Sequence, residues 1–413
     1  MAKLKDGVMK RGKTWSYVIR VVDPATGLSK PKWVGGFATE DDAKEARDEA
    51  RRAARRGEYV DRKAITVTEY LGDWIDAHTI EIKPKTADTY RYLVRQYVDP
   101  HIGKMRLQAV RPTTLTSLYI KLMNGGGKNG SKLSRATVDY VHAILRKAFN
   151  DAVRFEQLLS TNPAERAKRP RREARGITEV WTADQLRLFL GLVSSHRLAA
   201  FYRLAAYTGA RRGELLNLRW ADVDWKAPAV RIRGSVGVVA GERVEGSTKG
   251  GRERVVSLDA GTIDALKAHR KLQAADQLVV GEAWTDTGHI FTTGLGQPIY
   301  PDTVTQLFGK VLRAYNEPED PADRPAKPLP HARLHDLRHV HATMLLLAGV
   351  PVHVVAERLG HADPSITLRV YAHVIRKNAA GVADIFATAA DVEDTGSDDD
   401  EGDEPEAGVL VPC

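Results

Sequence analysis

Four side chains capable of phosphate chemistry fall in one stretch near the C-terminal end of the chain. They lie in His335-Asp-Leu-Arg338-His339, Leu359-Gly360-His361-Ala-Asp363-Pro364 and Tyr371. Arg338 is a permanent cation whose planar fork suits a pair of phosphate oxygens. The Tyr371 hydroxyl can form a covalent bond to phosphorus. His335 and Arg338 are three apart, so one helical turn puts them on one face. Upstream, Arg211 follows Thr208-Gly-Ala at a helix start, and Lys249 occupies a hairpin tip, Thr248-Lys-Gly-Gly. Transfer at a phosphodiester needs positive charge on the non-bridging oxygens, an in-line nucleophile, an acceptor for its proton and a donor for the leaving oxygen. Two arginines, a tyrosine, a histidine and a lysine cover those roles without a cofactor. Taken singly, each has a plainer reading: Arg211 as a surface charge, Lys249 as solvated, His361 as a capped core histidine, Tyr371 as packing. His335 and His339 share the i,i+4 spacing of the zinc motif His-Glu-x-x-His. The glutamate is missing, however, and an arginine between the histidines opposes a dication, so no metal is expected.

These residues need rigid elements behind them. From Val180 the pattern is globular: Thr182 caps a helix with Leu186, Leu188, Phe189 and Leu192, and a second helix over about 198–207 stops at Thr208-Gly209. Arg211 then opens another. Val230–Ile232 and Arg254–Leu258 read as strands, with a long segment, Gly234 to Gly246, between them that is expected to be a loop ordering on a ligand. Helices follow at about 262–274 and around Val304 to Leu312, then a proline-rich loop from Pro318 to Pro330. Asp363-Pro364 is a cap and first residue for the helix that carries Tyr371. Val382, Ile385 and Phe386 make a short amphipathic helix beyond it.

Residues 66–160 read as all-α. Thr68 and Thr86 are candidate caps for helices bearing Tyr70, Leu71, Trp74 and Ile75, and Tyr90, Leu93, Val94 and Tyr97. Pro112 starts a third helix and Ser134 a fourth, with a Gly-rich loop at 124–130 between them. Residues 1–60 form a small α+β unit. Trp15 to Val21 alternates as a strand, Asp23–Gly27 turns, Lys32-Trp33-Val34 returns, and Thr39 with Asp42 caps a helix over about 40–56.

The charge is unevenly spread. The chain carries +9 overall, yet residues 378–413 hold eleven Asp/Glu and no Lys/Arg, leaving residues 1–377 at +20. A basic body with an acidic end points to a polyanion, most often nucleic acid. Arg166, Lys168, Arg169, Arg171, Arg172 and Arg175 crowd a linker, 161–179, that repels itself into an extended form lying along a phosphate backbone. Lys85 and Arg135 are further DNA-contact candidates on the outer faces of the helices. Residues 387–413 are expected to be a disordered acidic tail. The longest apolar run, around Met344 to Ala356, is broken by Pro351 and His353 and is shorter than the roughly 20 residues of a membrane span. The N-terminus lacks an apolar signal core, and the single cysteine, Cys413, excludes an intrachain disulfide, which fits a reducing cytoplasm.

The set Thr208-Gly-Ala-Arg211-Arg-Gly-Glu214, Thr248-Lys249 before Arg254-Val-Val-Ser-Leu258, His335-Asp-Leu-Arg338-His339 followed by Ala342-Thr343, Leu359-Gly360-His361 and Tyr371-Ala-His373 resembles the tyrosine recombinases, or phage integrases. The resemblance covers about residues 66–386. It implies a helical core-binding domain (66–160), a mainly α catalytic domain with some strand (180–386) and, at 1–60, a unit similar to an arm-type DNA-binding domain. It further implies that Tyr371 attacks a DNA phosphate to leave a 3′-phosphotyrosine and a free 5′-hydroxyl. Arg211 and Arg338 would bind the non-bridging oxygens, and Lys249 would protonate the 5′ oxygen. His335 would assist proton transfer at the tyrosine, His361 would hydrogen-bond the phosphate, and Glu214 and Asp336 would support. Implied partners are double-stranded DNA attachment sites, a homotetramer on DNA, a host DNA-bending protein and an excisionase, in a bacterial cytoplasm at the nucleoid and away from membranes. Integration or excision of a mobile element is the expected function. A Xer-like resolvase, a relaxing topoisomerase and a non-catalytic DNA-binding regulator are the alternatives.

Overall fold

The computed structural model describes residues 7–22, 28–55, 64–170, 180–248 and 250–368, together with Tyr371 and Phe386. Two compact units divide the chain, Met1–Gly176 and Ile177–Cys413.

The first unit begins with an antiparallel sheet in the order β1 (Val8–Arg11), β2 (Thr14–Val22), β3 (Ser29–Phe37), followed by α1 (Glu40–Arg55). Alternation along the strands buries Val8, Tyr17, Ile19 and Val34 together with Ala43 and Ala50 of α1. Thr39 and Asp42 cap the helix reciprocally: the Asp42 amide donates to Thr39 Oγ1 at 3.1 Å and the Thr39 amide to Asp42 Oδ2 at 3.3 Å. Strand β1 is an addition to the expected pair. Its Lys10 and Arg11 look like surface charge in the sequence, but Gly12, at φ 62°, turns the chain so that Val8 pairs with Tyr17. The expected turn at Asp23–Gly27 lies outside the described residues.

Helices α2 (Val67–His78), α3 (Pro84–Tyr97), α4 (Asp99–Ile102), α5 (Pro112–Gly125) and α6 (Arg135–Arg154) follow, packed around Tyr70, Tyr119, Leu145 and Phe149. Two of the expected caps move. The cap of α2 is Thr66, whose Oγ1 accepts from the Glu69 amide at 3.3 Å while Glu69 Oε2 accepts from the Thr66 amide at 2.8 Å. Thr68 instead donates its hydroxyl to Asp99, 2.7 Å away. The start of α3 is Pro84, which needs no amide partner in the first turn, so Thr86 sits inside the helix. Ser134 caps α6 as expected.

The basic linker is not wholly extended. Asn162 donates to the Arg146 carbonyl at 2.9 Å, Ala164 is buried in the helical core, and the Lys168 amide donates to Thr116 Oγ1 at 3.0 Å. Its first part is thus held on α5 and α6 by local bonds. Arg171, Arg172 and Arg175 lie outside the described residues, as do the expected helix through Val382 and the acidic tail, apart from Phe386.

In the second unit, α7 (Ala183–Leu192), α8 (Ala199–Thr208) and the single turn α9 (Arg212–Leu215) precede β4 (Val223–Asp224), β5 (Ala229–Ile232), β6 (Gly234–Val239), β7 (Glu242–Ser247) and β8 (Arg254–Ser257). Helices α10 (Ala260–Val280), α11 (Pro301–Asn316), α12 (Asp336–Leu347) and α13 (Val352–Leu359) follow. Strands β4, β5 and β8 form one antiparallel sheet and β6 with β7 a separate hairpin. That hairpin replaces the expected loop. Val236, Val238, Val239 and Val244 favour the pleat, and Ala240-Gly241, at φ 50° and 89°, form the two-residue turn that matches strand twist. The core is aromatic at its centre, with Phe189, Phe201, Tyr202, Phe291 and Phe308 fully buried. Tyr202 stays satisfied there by donating to the Val304 carbonyl at 2.7 Å. A second cluster of Ala342, Leu346, Val355 and Leu359 packs around Tyr371 and brings α12 and α13 to the tyrosine. Among the described residues no helix is long and apolar enough to cross a membrane.

Candidate active site

Two left-handed glycines set the arginines. Gly209, at φ 62°, ends α8, and Gly360, at φ 69°, ends α13. The Gly209 carbonyl accepts from Arg338 Nη1 at 2.8 Å. The Gly360 carbonyl lies 3.5 and 3.4 Å from Arg211 Nη1 and Nη2, a long contact. A Cβ on Gly209 would stand 2.7 Å from Leu359 Cδ2 and 2.8 Å from His341 Cδ2. Gly209→Ala is therefore expected to destabilise by at least about 1–2 kcal/mol from the backbone conformation alone, with the side-chain collision added. The urea midpoint measures it, and an unchanged midpoint would contradict this account.

Arg211 is the N-cap of α9, and Glu214 in that turn is almost wholly buried. Glu214 Oε2 accepts from the Arg211 amide at 2.9 Å and from Arg254 Nη2 at 2.6 Å, while Oε1 accepts from Arg211 Nη1 at 2.9 Å. Burial alone would raise the carboxyl pKa. The hydrogen bond and charge of Arg254, then the amide and charge of Arg211, outweigh it, and the net shift is downward. Arg254 also donates Nε to the Arg358 carbonyl at 3.0 Å.

Arg338 is 4% exposed. Its Nη2 has no hydrogen-bond partner among the described residues, although the atom is buried. Burial, then the like charge of Arg211, lower its pKa to about 9, so it remains a cation at neutral pH. His361 places Nδ1 2.6 Å from Thr367 Oγ1, and burial followed by the charges of Arg338, Arg211 and Arg254 lowers it to about 4. His335, the N-cap of α12, is likewise lowered to about 4, by burial and then by His339 and Arg338. Both imidazoles are neutral at pH 7, and an additional cation next to the arginines is avoided.

Tyr371 is 2% exposed, and burial pushes its hydroxyl up to about 12 against the opposing pull of Arg338. Its Oη lies 2.7 Å from Nδ1 of His339. His335 meets His339 edge to face, with ring centroids 5.4 Å apart. Asp336 accepts from the Arg333 amide at 2.7 Å and from its Nη2 at 3.0 Å, so its carboxylate is engaged with that arginine.

The structure thus brings Arg211, Glu214, His335, Arg338, His361 and Tyr371 into one neighbourhood. Lys249 lies outside the described residues, although its neighbours Thr248 and Gly250 line a cleft of about 630 Å³ with Arg211, Arg254 and His361. A cleft of similar size, about 650 Å³, is lined mainly by apolar side chains such as Leu186, Met344, Leu345 and Val354 and contains neither Arg211 nor Arg338. Two residues here escaped the sequence reading as site members. Arg254 stands two before the buried Val256, and strand alternation puts both on one face, so a buried partner was required. His339 lay in the motif without a role. Of the DNA-contact candidates, Arg166, Lys168 and Arg169 are exposed. Lys85 is paired with Asp88 at 3.2 Å, and Arg135 donates to the Pro170 carbonyl.

Known proteins share this build. The phage integrase family matches residues 179–378, the arm DNA-binding domain residues 8–52, and the N-terminal SAM-like domain of phage integrases residues 66–123. A XerC-like tyrosine recombinase of Caldanaerobacter subterraneus is 27% identical over 399 residues, covering 91% of this chain and 96% of that protein. The ICEBs1 integrase of Bacillus subtilis is 25% identical over 329 residues, covering 78% and 83%. The Tn1549 transposon integrase in complex with a circular intermediate DNA superposes with a TM-score of 0.64 at 18% identity, covering 78% of this chain and all of that one. Three matched segments in this order, and a relative aligned along nearly its full length, identify the chain as a member of the phage integrase family of tyrosine recombinases, which are site-specific DNA recombinases.

Proposed function

We propose that the chain cuts and rejoins DNA at specific sites through a 3′-phosphotyrosine on Tyr371, as the integrase of a mobile element. One observation carries the reading. Two guanidinia, one of them buried with a donor unpartnered among the described residues, stand with neutral imidazoles beside a buried tyrosine hydroxyl. Arg211 and Arg338 bind the non-bridging oxygens and stabilise the charge that builds on them. His361 donates to the same phosphate, and Lys249 protonates the departing 5′ oxygen. Glu214 and Asp336 hold their neighbours in place. The phosphotyrosine keeps the bond energy, so rejoining needs no ATP.

Residues 1–60 bind arm-type sites, residues 66–160 the core site, and residues 180–386 carry the chemistry, with the basic segment 161–179 on the backbone between. The working form is a tetramer on double-stranded attachment sites, assisted by a host DNA-bending protein and an excisionase. The match of residues 8–52 to an arm DNA-binding domain and the names of the ICEBs1 and Tn1549 relatives favour a mobile element. The name of the XerC-like relative favours a resolvase instead.

The test uses the full chain and a nicked half-site taken from the DNA that borders its gene. The expected product is a detergent-resistant protein–DNA adduct which, after nuclease trimming, leaves a nucleotide on the peptide containing Tyr371. No adduct on DNA that the protein binds, or an adduct mapped to another residue, would remove this reading.

A further inference from the structure

We propose that His339, and not His335, takes the proton from Tyr371 when the tyrosine attacks. The inference rests on the reading of Tyr371 as the nucleophile and adds the group that activates it. The geometry is direct. His339 Nδ1 stands 2.7 Å from Tyr371 Oη, within reach for proton transfer in a single step. His335 stands behind it, its ring against the His339 ring at 5.4 Å. In the Nε2–H tautomer, Nδ1 of His339 is an acceptor aimed at the phenol.

The surroundings suit a base. Burial, which is the largest influence, and the charges of Arg338 and Arg333 keep His339 neutral at rest, while Asp336 on the preceding turn of α12 favours the protonated form. His335 on the same helix and His361 beyond α13 are the other titratable groups whose charge His339 influences, and both are held neutral. The imidazolium that forms is therefore opposed by two arginines and stabilised by one carboxylate. That balance keeps the base available at neutral pH and returns the proton readily during rejoining.

The step balances. The Tyr371 O–H bond breaks and its proton passes to His339 Nδ1. The phenol oxygen forms a bond to phosphorus, and the P–O5′ bond breaks. The 5′ oxygen takes a proton from Lys249. Rejoining runs the same transfers backward, with His339 returning the proton to the tyrosine.

The test measures half-site cleavage by the full chain against pH for the unmodified protein, His339→Asn, His339→Gln and His335→Asn. Asparagine keeps an acceptor close to the Nδ1 position without accepting a proton, and glutamine is the second variant should asparagine lower the melting temperature. Wild-type cleavage is expected to be flat around neutral pH and to fall in acid as pH drops through the lowered pKa of His339. His339→Asn is expected to be about 10²-fold slower at neutral pH, with a rate that climbs about tenfold per pH unit, because the phenolate must then form before attack. His335→Asn is expected to lower the rate without tilting the profile. A bridging 5′ sulfur, which leaves without a proton, is expected not to rescue His339→Asn.

A flat profile for His339→Asn, a tilted one for His335→Asn, or full rescue by the sulfur overturns the inference and leaves the recombinase reading intact. Absence of any adduct from the unmodified protein overturns both.

Discussion

Arg338→Met is expected to abolish most DNA cleavage while leaving the protein as stable as before or more so. Arg338 is 4% exposed and sits beside the like charge of Arg211. Among the described residues its guanidinium donates from Nη1 to the Gly209 carbonyl, and its Nη2 bonds nothing. Folding therefore strips a guanidinium of water for little return, and an apolar side chain of similar length removes that cost. Methionine leaves the Gly209 carbonyl short of a donor, a loss of about 1 kcal/mol that partly offsets the gain. Catalysis moves the other way. A preorganised donor facing the developing charge contributes on the order of 10²–10³ in rate, and Arg338 supplies a full charge as well as a fork. Half-site cleavage and a thermal melt, measured together, check both halves. A steep fall in melting temperature would show that the arginine serves the fold and sink its assignment to the phosphate.

Glu214→Gln is expected to do the opposite first. Glu214 is 1% exposed and is shared by Arg211 and the nearly buried Arg254. Removing its charge leaves Arg254 uncompensated in the interior, and breaking a buried pair in this way costs about 3–5 kcal/mol. Cleavage falls as well, since one carboxylate oxygen becomes a donor and Arg211 loses the opposite charge and one of the two bonds that anchor it, but it falls together with stability. The pH dependence has a definite sign. The folded carboxyl is held below its ordinary 4.5, so its stabilising contribution is complete above that value and is lost as pH falls through the lower folded one. In the glutamine variant this part of the acid sensitivity disappears. Urea titrations of both proteins at neutral and acid pH give the comparison, and parallel acid losses would refute the account.

Much of this is legible in the sequence, for physical reasons. Thr182, Ser134 and the Thr39–Asp42 pair announce helix starts because capping is local chemistry, complete within a few residues. Thr66 and Thr68 show the limit of that reading. Both can cap, and the choice fell to Glu69 three residues after Thr66 and to Asp99, a distant residue that claims the Thr68 hydroxyl. The β6–β7 hairpin was missed because Ala240-Gly241 is a weak turn signal beside Asn-Gly, although the valines around it were plain. That Arg211, His335, Arg338, His361 and Tyr371 belong together could be read from residue types and order alone. Their supports could not, since Arg254 and Glu214 are 40 residues apart and meet only in the folded chain, where Arg254 Nη2 donates to Glu214 Oε2. His339 illustrates a different gap. Its identity was evident, but only the packing of Tyr371 between α12 and α13 says which of two adjacent histidines faces the hydroxyl.

The two glycine-ended helices have one further consequence. The carbonyls of Gly209 and Gly360 are the negative poles of α8 and α13, and they point at Arg338 and Arg211. In DNA-free protein Arg338 is thereby held by a backbone acceptor that no side-chain substitution can remove, while Arg211 rests chiefly on Glu214 with the Gly360 carbonyl as a longer contact. Arrival of a phosphate then becomes an exchange of one oxygen for another around donors already in position. On the proposed reading, the waiting protein thus carries at Arg338 a built-in stand-in for a phosphate oxygen, weak enough to be displaced.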